Sequence, residues 1–109
     1  MLNYNAETQT ISIIAKDTGD FAVAIDNYLL AEGDKVFFTV NDALEKETAL
    51  ISIVVSEFVD NKAIIHLSAT DTNLAPGTYY YDIQVNTVDG RIDTVLGPAK
   101  FKIAGGVKF

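Results

Sequence analysis

The chain has no cysteine and no tryptophan, and only one methionine, one histidine and two prolines in 109 residues. Without cysteine there is no disulfide, no thiolate metal ligand and no thiol nucleophile. Cations are scarce as well: 8 Lys and Arg against 15 Asp and Glu give a formal charge of −7. A surface of that sign repels phosphate backbones, so no nucleic-acid partner is expected. No apolar run approaches the ~20 residues of a membrane-crossing helix, so no membrane partner is expected either. The opening Met1-Leu2-Asn3-Tyr4-Asn5 has neither a basic nor an apolar stretch and does not read as a signal peptide.

What is present is enough for one core. The hydrophobic fraction of 49% is that of a globular chain, and the length fits a single domain over residues 1–109. The core is expected over residues 8–104, with 105–109 as a flexible tail. Charge is unevenly spread. Glu7, Asp17, Asp20, Asp26, Glu32 and Asp34 face a single Lys16 in the first 34 residues, whereas Lys100, Lys102 and Lys108 stand without an acid in the last twelve. Either this is an ordinary solvated surface, or the acidic front and basic tail meet between copies.

A period of two dominates the chain. Ile11 and Ile13 alternate with polar residues, as do Val36, Phe38 and Val40, then Ala63, Ile65 and Leu67, then Tyr79, Tyr81, Ile83 and Val85. Phe21, Val23 and Ile25 alternate with small residues. Such alternation marks strands with one buried and one wet face. Turn signals punctuate them: Asp17-Thr18-Gly19-Asp20, Glu32-Gly33-Asp34, Asp60-Asn61, Pro76-Gly77 and Asp89-Gly90. The pattern predicts an all-β, immunoglobulin-like Greek-key sandwich of about seven or eight strands. Asp89-Gly90 is expected to close a hairpin through a type I′ turn.

Two segments depart from simple alternation. Residues 49–58 put Ile51, Ile53 and Val55 on one face and Leu50, Val54 and Phe58 on the other, so the strand is either covered on both sides or bulged near Val54-Val55. Gly97-Pro98 interrupts the last strand, which therefore reads as an edge strand that bends there before Phe101 and Ile103 re-enter the core. Residues 41–47 tolerate a helix but are too few for more than a turn.

Leu74-Ala75-Pro76-Gly77-Thr78-Tyr79 matches a tyrosine corner, with Leu74, Pro76, Gly77 and Tyr79 as its framework and a backbone acceptor for the Tyr79 hydroxyl. A plain turn is the competing reading. Ser68-Ala69-Thr70-Asp71 supplies capping side chains for a one-turn crossover just before it.

A search for chemistry finds little. His66 is the lone histidine, on the face opposite Ile65 and Leu67, and no cysteine or second histidine joins it as a metal ligand. No phosphate loop or nucleophile elbow occurs. Turn chemistry accounts for Asp17, Asp20, Asp89 and Asp93 better than calcium does. No catalytic residue, cofactor or metal is therefore expected. The run Tyr79-Tyr80-Tyr81 suggests sugar stacking, but alternation exposes Tyr80 alone. Phe37, Leu50, Val54 and Phe58 face outward and, with Tyr80, make a candidate assembly surface, unless a loop or terminus covers it. Residues 8–14 lack proline, glycine and charge, and read as a strand that docks in its own sheet or on a neighbour's.

Four stretches carry a family likeness. They are Asp17-Thr18-Gly19-Asp20-Phe21; Gly33-Asp34-Lys35-Val36-Phe37-Phe38-Thr39-Val40; Ala63-Ile64-Ile65-His66-Leu67 with Ala75-Pro76-Gly77-Thr78-Tyr79-Tyr80-Tyr81-Asp82-Ile83; and Asp89-Gly90-Arg91 with Gly97-Pro98. In these the chain resembles the N-terminal domain of phage baseplate upper proteins and related tail modules of phages infecting Gram-positive bacteria. The resemblance implies a non-enzymatic structural or adaptor role in a virion, after synthesis in the bacterial cytoplasm. It also implies other virion proteins, and the chain itself, as partners. Relatives of that kind continue into long helical, fibrous or receptor-facing regions, whereas this sequence ends five residues after Ala104, and the anchoring or decorating role is the part the resemblance implies. The alternative reading is a small carbohydrate- or protein-recognition sandwich.

Overall fold

Alternating β-branched and aromatic residues form strands because one face of each can be buried while the other stays in water. A computed structural model describes residues 2–24, 29–42 and 50–105, the side chains of 95–97 excepted. Ile25, the expected turn over 41–47 beyond Asp42, and the tail after Gly105 lie outside the described residues. The strands are β1 (Asn3–Asn5), β2 (Thr10–Ile14), β3 (Gly19–Ala24), β4 (Lys35–Asn41), β5 (Ile51–Val55), β6 (Lys62–Leu67), β7 (Gly77–Asn86) and β8 (Ile92–Ala104).

They form two layers. One sheet has the order β1-β2-β8-β7-β4-β5, and β3 pairs with β6 in the other. The pairing of β2 with β8 is parallel, Ile11 opposite Phe101 through Ile14 opposite Ala104, and every other pairing is antiparallel. An early strand lying parallel to the last, with chain crossing between sheets, gives the immunoglobulin-like sandwich that the alternation predicts.

Between the layers the inward residues meet. Phe38 is fully buried at the centre, with the rings of Phe21, Tyr81 and Phe101 at 5.4, 5.7 and 6.0 Å. Val36, Val40, Ile83 and Val85 extend this layer, and Ala63, Ile65 and Leu67 of β6 close it from the other side. A Phe or Leu buried this way contributes about 1.5–3 kcal/mol by leaving water.

Of the two dockings expected for residues 8–14, the structure has the one in the chain's own sheet: β2 lies between β1 and β8, because residues 6–9 fold back and pair Tyr4 with Ile11. Other local expectations change. β5 is neither bulged nor covered on both sides; its register with β4 is unbroken and it ends at Val55. The irregularity sits in β8. Asp82 alone faces Gly97 and Pro98, and one more residue is extra between Leu96 and Thr94. The bulge accommodates proline without a ladder bond, so β8 continues through it instead of breaking.

Turn types also differ. Asp60 and Asn61 both have positive φ, 52° and 60°, with Val59 and Lys62 exchanging backbone bonds of 3.0 and 2.9 Å. That is the two-residue hairpin of type I′ geometry. At Asp89-Gly90 only Gly90 has positive φ, +96°, and its N–H donates to the Thr87 carbonyl at 3.0 Å. A three-residue loop closed by a glycine bulge replaces the expected type I′ turn, because Thr87 supplies an extra anchor to Asp89 and Arg91.

Two buried polar residues hold the ends. Asp34 ties the loop before β4 to the β7–β8 hairpin. Thr72 donates to the Asp17 carbonyl at 2.6 Å, joining the β6–β7 crossover to the β2–β3 turn. Ser68 and Asp71 cap that crossover reciprocally, at 2.9 and 3.1 Å.

Candidate functional site

The outer face of the six-stranded sheet carries the outward residues picked out above, and register decides which of them meet. One row runs Val54, Phe37, Gln84. Another runs Asn41, Tyr80, Lys100. Between them the Thr39 hydroxyl donates to the Asp82 carboxylate at 2.7 Å, with Ser52 alongside. Leu50 precedes β5 at the Asn41 end of the β4–β5 pair, its N–H donating to Val40 at 2.7 Å. Four of the five residues expected to form one assembly surface are therefore divided by a polar strip. Phe37 and Val54 lie at one end, and Leu50 and Tyr80 at the other.

Phe58 is on neither side. β5 stops at Val55, so parity ends there, and Phe58 packs against the core cluster. The expectation of an outward Phe58 is thus corrected by the strand's early end.

Beyond Val54 the sandwich is open. Among the described residues β5 pairs only with β4, and β6 only with β3. Between these two unpaired edges runs a groove of about 430 Å³, lined by Val54, Val59, Ile64 and His66 among others. Val54 is 50% and Val59 63% exposed, large values for valines flanking a sheet edge.

The Tyr80 end is chemically different. There a depression of about 670 Å³ lies over β1, β2, β8 and β7, with Tyr80, Lys100 and Lys102 in its lining and no carboxylate. Tyr80 is half-buried and the two lysines are exposed.

The tyrosine-corner residues take the geometry their motif requires. The Tyr79 hydroxyl donates to the Ala75 carbonyl at 2.6 Å, although the ring is half-buried and not fully enclosed. Leu74 packs against the core, Pro76 is exposed, and Gly77 begins β7. Tyr81, two residues on, is the more deeply held of the pair. Its ring is buried and its hydroxyl donates to the Gln9 carbonyl, and burial, together with the nearby Tyr4, pushes its pKa well above the ordinary tyrosine value.

Among the described residues the titratable groups outside the core stand singly or in exposed pairs. His66 Nδ1 stands 2.6 Å from Asp20 Oδ1 across β6 and β3, with both side chains mostly in water. Asp89 is held below the usual carboxylate range, first by the Thr87 hydroxyl and then by the Arg91 backbone, in an exposed turn. Among the described residues no three His, Cys, Asp or Glu side chains gather as a metal site.

Sequence reading missed the functional weight of Asp34, Gln9 and the Tyr80 depression. Asp34 read as a turn residue, and its Gly33 neighbour was the available signal. For Gln9 and the depression there was none, because their partners lie 72 residues away or on four separate strands. No protein-family model, curated protein or solved structure matches the chain.

Proposed function

We propose that this chain is a non-enzymatic structural or adaptor component of a phage or prophage virion, a tail or baseplate module that works through protein–protein assembly. The observation that carries the assembly part is the open side of the sandwich. Among the described residues two strand edges without a further partner flank a groove there, lined by valine and isoleucine with Ser56, Glu57 and His66, and Phe37 stands next to Val54. Natural monomers blunt exposed edges with charge, proline or a covering segment. Here β5 offers Ser52 and Val54 on its outer face and no charge between Ile51 and Val55. Main-chain pairing along such an edge, with valine side chains entering a pocket, is a recurrent way for one chain to receive an extended segment of another.

The virion part rests on the family resemblance described for the sequence, and the sandwich suits it because such modules act as rigid adaptors. Mass spectrometry on purified phage particles from the strain carrying the gene tests it. The chain should sediment with particles at a fixed stoichiometry to the tail proteins. Particles of normal morphology and infectivity made without it would end the virion reading.

A further inference from the structure

We propose that the depression around Tyr80 is a binding site for an acidic oligosaccharide, a sugar chain bearing carboxylate or phosphate groups. This inference is independent of assembly, because the depression lies across the sheet from the open groove and shares no lining residue with it.

Its size is that of a ligand site. About 670 Å³ falls inside the range usual for small-molecule pockets. Four strands build it, and a floor of paired backbone holds its side chains in place better than a loop would.

Its charge is opposite to that of the chain. Lys100 and Lys102 share a face of β8, about 7 Å apart by strand geometry. Among the described residues neither makes an ion pair, whereas Asp20 has His66 and Asp93 has Arg91. No carboxylate lines the depression, and the outward acid nearest along β7, Asp82, accepts the Thr39 hydroxyl. Two unmatched ammonium groups in a chain of charge −7 make a local anion site within a repelling field. That combination favours a ligand with a few charges set among neutral groups and disfavours a dense polyanion such as nucleic acid.

The neutral lining fits a polyol. Asn3 and Asn5 alternate on β1, and Ser12 pairs directly with Asn3 on β2, as Thr10 does with Asn5. Short amides and hydroxyls on adjacent strands offer both donors and acceptors to sugar hydroxyls. Tyr80 pairs with Lys100 and adds a half-buried ring with an apolar face and a hydroxyl edge. An acidic peptide would be held instead by a strand edge and side-chain pockets.

Amide-resolved NMR titration of the full chain decides it. The probes are hexagalacturonate, a glucosylated glycerol-phosphate oligomer, neutral maltohexaose and a hexaglutamate peptide. At least one acidic sugar should shift amides of Asn3, Ser12, Tyr80, Lys100 and Lys102, and bind about tenfold tighter than maltohexaose from two exposed ion contacts. The tighter of the two acidic sugars identifies the charged group. Added salt should erase the margin. Lys100→Ala with Lys102→Ala should also erase it while leaving amide dispersion intact, and Tyr80→Ala should weaken acidic and neutral sugars alike. Three results each overturn the proposal. They are no shift in these amides at about 10 mM acidic sugar, where a millimolar site would be mostly filled; equal affinity for maltohexaose; and hexaglutamate binding as tightly as the sugars.

Discussion

The carboxylate of Asp34, wholly buried, accepts a hydrogen bond from the backbone N–H of Val88 at 2.9 Å, across 54 residues of sequence. Its second oxygen accepts the Ala31 N–H at 2.9 Å, so one side chain fastens the loop before β4 to the β7–β8 hairpin. The contact is close on both sides. Gly33 has φ of +96°, and a Cβ there would lie 2.9 Å from Val88 Cγ2. Asp34→Ala should cost about 3 kcal/mol, since two backbone donors lose a charged acceptor in a dry site. Asp34→Asn, which keeps an acceptor, should recover part of the loss. Urea denaturation measures both, and a loss below about 0.5 kcal/mol for the alanine variant would mean water replaces the carboxylate freely.

Tyr79 presents a smaller effect of the same kind. Its hydroxyl bonds Ala75 but the ring is only half-buried, so water can partly serve the freed carbonyl. Tyr79→Phe should cost about 1 kcal/mol, at the ordinary net value of one hydrogen bond. A variant that melts with the parent would reduce the corner to a turn.

Tyr81 makes stability depend on alkaline pH. Burial raises its folded pKa above the ordinary 10.0. Below pH 10 both folded and unfolded chains keep the proton, and the contribution is complete. Above pH 10 the unfolded chain releases the proton while the folded chain holds it, so stability falls with rising pH, by at most about 1.4 kcal/mol per unit for one group. Tyr81→Phe should be less stable at neutral pH for want of the Gln9 bond, and its stability should decline less steeply above pH 10. Parallel slopes for the two proteins would contradict this.

The inner faces were legible because burial and period two coincide: Val36, Phe38, Val40, Ile65, Leu67, Tyr81 and Ile83 are all buried, as alternation requires. Parity carries information only while a strand lasts, and this is why Phe58, three residues past the end of β5, fell on the wrong side. Pro98 suggested an interruption because proline lacks a donor. The register slip that absorbs it needs β7 as a partner, and a single strand does not reveal one. The Tyr80 depression was illegible for a stronger reason. Asn3 and Lys102 come from opposite ends of the chain, and the parallel docking of β2 on β8 is what brings them to one face. Tyr80 alone was a lone exposed ring; with its neighbours across the sheet it becomes part of a lining.

The division of the outer face separates two kinds of contact, and single substitutions should tell them apart. Val54 flanks the open groove beside Phe37, whereas Tyr80 stands beyond the Thr39–Asp82 bond. Self-association through the open side, as assembly in several copies would require, should bury at least about 1,000 Å² in total. Light scattering over a concentration series should then show a mass rising above the 11.8 kDa of one chain. Val54→Lys puts a charge at the centre of that contact, and taking the ammonium out of water there is costly even with Glu57 in the same lining. The variant should stay at one-chain mass over the whole series while keeping its melting temperature, because Val54 is half in water in the isolated fold. Tyr80→Ala lies outside the groove and should associate like the parent. Loss of association in Tyr80→Ala with retention in Val54→Lys would move the contact to the other half of the sheet. A parent chain that remains at one-chain mass up to millimolar concentration would mean that the open side awaits a different protein.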